Sequence, residues 1–331
     1  MLKKTFQILL LATCTTSMVS AQNHKLVKTF HIASTGGWDY ISVHNGKIFV
    51  SHGNQVNILD EKTGDSAGVI LNTMGVHGIA FSDAAGKGFT SNGRSNNVTA
   101  FDLKTFKDLG QITTGENPDA ICYEPYTKSI ITCNGRSKDL SVIDPVNNKV
   151  IATVVLGGKP EEAVSDGKGQ LYVNLEDKNQ IAVVDTKSWK VINTWSMSPG
   201  DGPSGLKIDT KSMRLFAACD KMMMVLDATN GKVVTQVPIG EGSDGLVFDE
   251  KNKMIYTSNG IGNITGVLEQ SPNDYKVVET IPTKPRARTI AMDDKSHAMF
   301  LPTAEFEKAD PANPKARPKM IAGSFQVLVV E

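Results

Sequence analysis

Seven residues stand at one recurring position along the chain and are of types that hold ions or polar groups: Asp39, His77, Asp119, Glu161, Ser204, Asp244 and Arg288. Brought together, they would form a polar ring. Hard carboxylate oxygens suit Ca²⁺ or Mg²⁺, which makes Asp39, Asp119, Glu161 and Asp244 the candidate metal ligands; His77 would admit Zn²⁺. Carboxylates crowded around one axis repel unless something neutralises them. A divalent cation is one answer. Arg288 is the other: a pair with Asp244 or Asp39 leaves no need for metal, and each ring residue then merely caps its own strand and faces water. No other cofactor is expected.

A second set of residues follows short breaks in the pattern, at Ser91-Asn92-Gly93-Arg94, Asn134-Gly135-Arg136-Ser137 and Ser258-Asn259-Gly260, with Ser51-His52-Gly53 as a counterpart. Asn-Gly pairs are above all turn formers. Arg94 and Arg136 nevertheless fall on the same face as the ring, where two guanidinium groups, joined by Arg286, could clamp a carboxylate or phosphate. Motifs of nucleophilic or redox chemistry are missing: there is no Gly-x-Ser-x-Gly, Cys-x-x-Cys, His-Glu-x-x-His, phosphate loop or Cys-x-x-Cys-His. Trp38, Trp189 and Trp195 read as packing residues, with Trp38 nearest the ring, and Met222-Met223-Met224 fills a strand rather than binding copper.

Such residues need a scaffold, and the chain supplies one as a repeat. Two apolar residues followed by an acid recur at Asp60, Asp102, Asp144, Asp185, Asp227, Glu269 and Glu331, with spacings of 42, 42, 41, 42, 42 and 62 residues. Each unit divides into four short alternating runs separated by turn signals, as in Gly78–Phe81, Lys87–Thr90, Asn97–Phe101 and Leu109–Ile112, which is the pattern of one propeller blade. The last unit reaches only its third run at Phe325–Val330, while Leu26–Ile32 reads as a stray fourth run. The expected fold is therefore all-β: a seven-bladed β-propeller of four-stranded blades, the last closed by the N-terminal strand, which hides an edge that would otherwise be open. The long final spacing places an insertion at 305–323, over the ring face; Pro311, Pro314 and Pro318 with Lys308, Lys315, Arg317 and Lys319 make it an irregular basic flap, read either as a solvated loop or as a lid.

Composition narrows the function. Net charge is +0, and removal of a leader carrying Lys3 and Lys4 leaves a small acid excess, so the electrostatic footprint of nucleic-acid binding is absent. Residues 1–21 read as a secretion signal, with Lys3 and Lys4, the apolar run Phe6–Ala12, and Val19-Ser20-Ala21 before Gln22; residues 22–331 form a single domain. The competing reading, a lipoprotein acylated at Cys14, has Thr13 immediately before the cysteine, a poor fit. No other stretch is long and apolar enough to span a bilayer. Cys122, Cys133 and Cys219 remain after cleavage, and the first two fall on one hairpin, so a bridge between them is sterically conceivable in an oxidising compartment.

The units also carry a family likeness. Ile58-Leu59-Asp60-Glu61-Lys62-Thr63-Gly64, Val183-Val184-Asp185-Thr186 and Val225–Val234 resemble YVTN-type repeats. Lys159-Pro160-Glu161, Leu171-Tyr172-Val173-Asn174, Arg214-Leu215-Phe216, Cys219 with Met222–Met224, and Leu301-Pro302-Thr303-Ala304 resemble exported YncE-like propellers, over essentially the whole mature chain. The resemblance implies fold and export but no common reaction. Some members are associated with single-stranded DNA, a partner this near-neutral sequence fits poorly. The expectation is a monomeric, periplasmic or secreted, non-enzymatic propeller that binds a small polar ligand or a protein at the channel mouth. Two alternatives stand beside it: a metal-assisted hydrolase or lyase acting on a small substrate such as a lactone, and a single-stranded nucleic-acid binder.

Overall fold

The recurring acids end strands and turn the chain. Asp60 Oδ1 accepts the backbone N–H groups of Lys62 and Thr63 at 2.9 and 3.0 Å; Asp102 does the same for Lys104 and Thr105 at 3.0 and 2.7 Å. These donors hold both carboxyls below the usual range. Asp144, Asp185 and Asp227 repeat the device. Glu269 breaks it. In that unit the strand runs on through Asn263–Ser271, and its partner is Asp274–Pro282, so the turn falls beyond the acid.

The structure, a computed structural model, describes residues 24–308 and 318–331. Those residues form seven four-stranded antiparallel sheets, six of them running in chain order from the axis outward. Blade one, for example, comprises Trp38–His44, Lys47–His52, Gln55–Asp60 and Ser66–Ile70. The sheets pack face to face, and the core lies between them: Phe49 of blade one meets Phe81 and Phe101 of blade two at ring-centroid distances of 4.9 and 6.1 Å. Among the described residues no helix is long and apolar enough to cross a membrane.

Blade seven consists of Ala291–Met292, Met299–Thr303, Gln326–Val330 and, outermost, Leu26–His31. The expected exchange of strands closes the ring: Phe30 pairs with Val327 and His31 with Gln326, and Lys25 and Glu331 exchange backbone hydrogen bonds of 2.8 and 3.1 Å. Phe30 also seals the seam to blade one. A Cβ on Gly64 would come within 2.2 Å of the Phe30 ring, so only glycine leaves room there.

The insertion between the second and third strands of blade seven has an ordered base rather than a wholly irregular path. Phe306 and Met320 form an antiparallel bridge, flanked by hydrogen bonds from Glu307 N to Lys319 O (2.8 Å) and from Ile321 N to Glu305 O (2.9 Å). Pro311, Pro314, Lys315 and Arg317 lie outside the described residues, as do the leader and Cys14. The conceivable Cys122–Cys133 bridge is absent. The pairing of the two strands sets Cys122 opposite Ile131, two residues short of Cys133, and both thiols are free. Burial pushes the Cys122 thiol up to about 12.

Candidate functional site

The ring residues owe their direction to a repeated irregularity. In blades one, two, three, four and six the first strand slips register by one residue near its start, between Trp38 and Ile41, Val76 and Ile79, Pro118 and Ile121, Pro160 and Ala163, and Ser243 and Gly245. Asp39, His77, Asp119, Glu161 and Asp244 each lie inside one of these bulges. A bulge bends the strand and re-aims a side chain that strict alternation would place elsewhere.

Neighbouring blades then fix the backbone at those positions. Ser91 Oγ accepts from Gly78 N at 2.8 Å and donates to Asp119 O of the next blade. Ser258 Oγ donates to Arg288 O at 2.5 Å, and Thr289 Oγ1 to Asp39 O at 2.7 Å. Asn174 Nδ2 donates to Ser204 O at 2.9 Å. The Ser-Asn-Gly breaks are thus more than turns. Asn92 closes a buried network with Thr90, Asn97 and Thr99, and Gly93 leaves the space that His77 Nε2 and Asn117 Oδ1 occupy, 2.6 and 2.9 Å from where a Cβ would stand.

Three of the seven ring residues converge. His77 Nδ1 donates to Asp39 Oδ2 at 2.6 Å and lies 3.5 Å from Asp119 Oδ1. Ligand atoms of Asp39, His77 and Asp119 all fall within 4.8 Å of one another, close enough to share one ion. Arg288 bridges Asp244, in direct contact, and Asp39 at 3.5 Å, so the pairing considered from the sequence is made to both acids. Glu161 is held by Lys159 at 2.5 Å, which also contacts Glu176. Ser204 does not join. Its hydroxyl is spent on backbone oxygens, donating to Ser243 O at 3.0 Å, which fastens blade five to blade six.

Protonation follows from burial and crowding. Burial pushes the Asp119 carboxyl up to about 6, the His77 charge opposing and the Asp39 charge assisting. Burial and then the Asp119 charge raise Glu161 despite Lys159. Burial likewise raises Asp244, against Arg288. For His77 burial disfavours the charge, but the hydrogen bond to Asp39 and the charges of Asp119, Asp39 and Glu161 prevail, so its pKa is raised.

Sequence reasoning missed Tyr40 and Lys159. Tyr40 follows Asp39 within the bulge and lines the channel below the cluster; burial and then the charges of Asp119, Glu161, Asp39 and Asp244 raise its hydroxyl well above the usual value. Only the bulge puts two successive residues toward the axis, and a bulge has no fixed residue signature. Lys159 stands two residues before Glu161, just ahead of the strand Pro160–Ser165, near enough in sequence to be weighed as that carboxylate's partner. Beneath the cluster the channel is a cavity of about 560 Å³ that passes Ser42, Gly78 and Ala120 to His44 and Asp294. Arg94 and Arg136 are exposed, their backbones tied to Met74 O and Glu116 O at 3.2 and 3.1 Å, and Arg286 lies apart from them against Phe306.

A family model described as YNCE-like beta-propeller matches residues 67–220. Among solved structures, a chain of Kuenenia stuttgartiensis hydrazine synthase superposes with a TM-score of 0.72 at 14% identity, covering 89% of this chain and 98% of that one. A chain of the mitotic checkpoint complex does so with a TM-score of 0.72 at 14% identity, covering 90% of this chain and 95% of that one. At such identity the likeness is one of fold alone. No curated protein matches the chain.

Proposed function

We propose that this YncE-like β-propeller is an exported binding protein that takes a small polar ligand at its channel mouth. One observation carries the reading: Asp39, His77 and Asp119 converge within 4.8 Å of one another at the axis, while Arg288 and Lys159 neutralise the flanking acids. Holding Asp119 ionised there is unfavourable, as its upward shift to about 6 records. A bound cation or hydrogen-bond donor relieves that penalty, so the folded protein favours such a ligand. Export rests on the leader, with Lys3 and Lys4, the apolar run Phe6–Ala12 and Val19-Ser20-Ala21 before Gln22. Thermal melts with Ca²⁺, Mg²⁺, Zn²⁺ and a small primary amine test the binding. At least one should raise the midpoint by about 3–6 °C, and Asp39→Asn with Asp119→Asn should abolish the rise. No shift with any of the four would sink the proposal.

One histidine and two carboxylates also form a ligand set suited to Zn²⁺ or another divalent transition metal, which supports a metal-assisted hydrolase or lyase as the second reading. A metal there would supply an activated water, and Tyr40 and Lys159, which share the field of the same carboxylates, would be available to orient a small substrate such as a lactone. Metal analysis of gently purified protein separates the two. A stoichiometric divalent ion, lost together with any lactone hydrolysis on Asp119→Ala plus Asp244→Ala, favours the enzyme.

A further inference from the structure

We infer that a cleft beside the channel mouth is a subsite for a planar aryl carboxylate. The inference rests on reading the mouth as a binding face and names a ligand class for one part of it. The cleft encloses about 580 Å³ and is lined by the apolar side chains of Trp38, Phe306 and Met320 and the cationic ones of Arg286 and Arg288, with Gly37 in its wall. That volume suits a small molecule.

The walls are flat and fixed. Trp38 packs on Phe325 with ring centroids 5.4 Å apart and faces Phe306 at 6.0 Å. Phe306 is anchored by its bridge to Met320 across the base of the insertion. Trp38 Nε1 is buried in this wall with no acceptor among the described residues. A Cβ on Gly37 would meet nothing within 4 Å, so the missing side chain leaves the cleft open rather than relieving a clash.

The two arginines differ in what they lack. Arg288 is already neutralised by Asp244 and Asp39. Arg286 lays its guanidinium on the Phe306 ring, 3.8 Å from the centroid, and has no carboxylate partner among the described residues. A guanidinium stacked by its face keeps its in-plane N–H edges available, and those edges match a carboxylate. Its backbone is held in the left-handed region at φ +65, uncommon for a non-glycine residue, by a hydrogen bond from its N–H to Gly260 O at 2.7 Å. A cation with no carboxylate partner among the described residues calls for a monoanion, and aromatic walls call for a flat apolar body. An aryl carboxylate joins the two.

Calorimetric titration of the purified protein with benzoate, its uncharged amide and acetate tests this. The acid should bind saturably, the amide about tenfold more weakly or worse for want of a charged hydrogen bond, and acetate not at all. Gly37→Leu, which fills the cleft, and Arg286→Gln, which removes the cation, should each weaken the acid about tenfold or more while leaving the thermal midpoint in place. No binding of the acid, equal binding of the amide, or full affinity in Gly37→Leu and Arg286→Gln would overturn the inference. Its failure separates from that of the mouth reading. Cation or amine uptake that is lost in the Asp39→Asn plus Asp119→Asn variant, with no binding of benzoate, sinks the cleft alone; the converse keeps the cleft and sinks the axial site.

Discussion

Two carboxylates a few ångströms apart disfavour each other's charge, and at the channel mouth His77 is placed between Asp39 and Asp119. The raised His77 pKa means that its ion-pair stabilisation is complete below 6.5 and disappears as pH rises through the folded-state value. The raised Asp119 pKa works in the opposite sense. Its penalty is absent below 3.8, grows up to about 6 and is complete above. Asp119→Asn is therefore expected to stabilise the protein by ~1–3 kcal/mol near neutral pH and to give no gain in acid, the signature of a residue kept for something other than stability. Urea titrations of both proteins at about pH 8 and about pH 4 check it. Metal uptake should follow His77: an ion must displace its proton, so Zn²⁺ affinity rises with pH through the histidine's titration and flattens above it. A flat profile between about pH 5.5 and about pH 8, read by calorimetry, would remove His77 from the ligand set.

Elements aim these residues by means that the sequence discloses unevenly. The repeat of the acids and the four runs of each unit were legible because Asx-type turns and alternation are local: Asp60 and Asp102 reach only residues two and three places ahead. The strand exchange was legible too, since an unmatched run at each end leaves one arrangement. The bulges were not, and with them went Tyr40 and the exclusion of Ser204, because a register slip depends on which partner strand is present. The role of Ser91 also escaped notice; its Oγ ties Asp119 O across blades, a contact between residues 28 apart in sequence. Ser91→Ala should leave two buried backbone groups without their partner and cost about 1–3 kcal/mol, with weaker ligand binding at Asp119 as its backbone loosens. Cys133 occupies the matching place in blade three, next to the blade of Glu161, and has no hydroxyl to give. Cys133→Ser therefore provides the reciprocal measurement: a gain in affinity there beside a loss in Ser91→Ala would assign the effect to the stitch, and equal losses would assign it to packing.

At the scale of the whole molecule the mouth exists only while the ring is closed, for it draws side chains from blades one, two, three, four, six and seven. Blades contact mainly their neighbours, so stability accumulates by pairs, and the weakest seam decides where opening starts. Blade seven is that seam: its innermost strand is Ala291–Met292 alone, and its outermost comes from the other end of the chain. Phe30 locks it, 8% exposed and pressed over Gly64 of blade one. Phe30→Ala should cost about 3–5 kcal/mol through the cavity it leaves. If opening starts at this seam, the loss appears first as faster amide exchange in Gln326–Val330 and Leu26–His31, with the six complete blades still protected. Because Asp39 and Arg288 sit on the two sides of the opening seam, ligand binding should protect those same amides, linking occupancy of the mouth to closure of the ring. Uniform exchange across all seven blades would mean that the propeller opens as one unit and that the N-terminal strand is no latch.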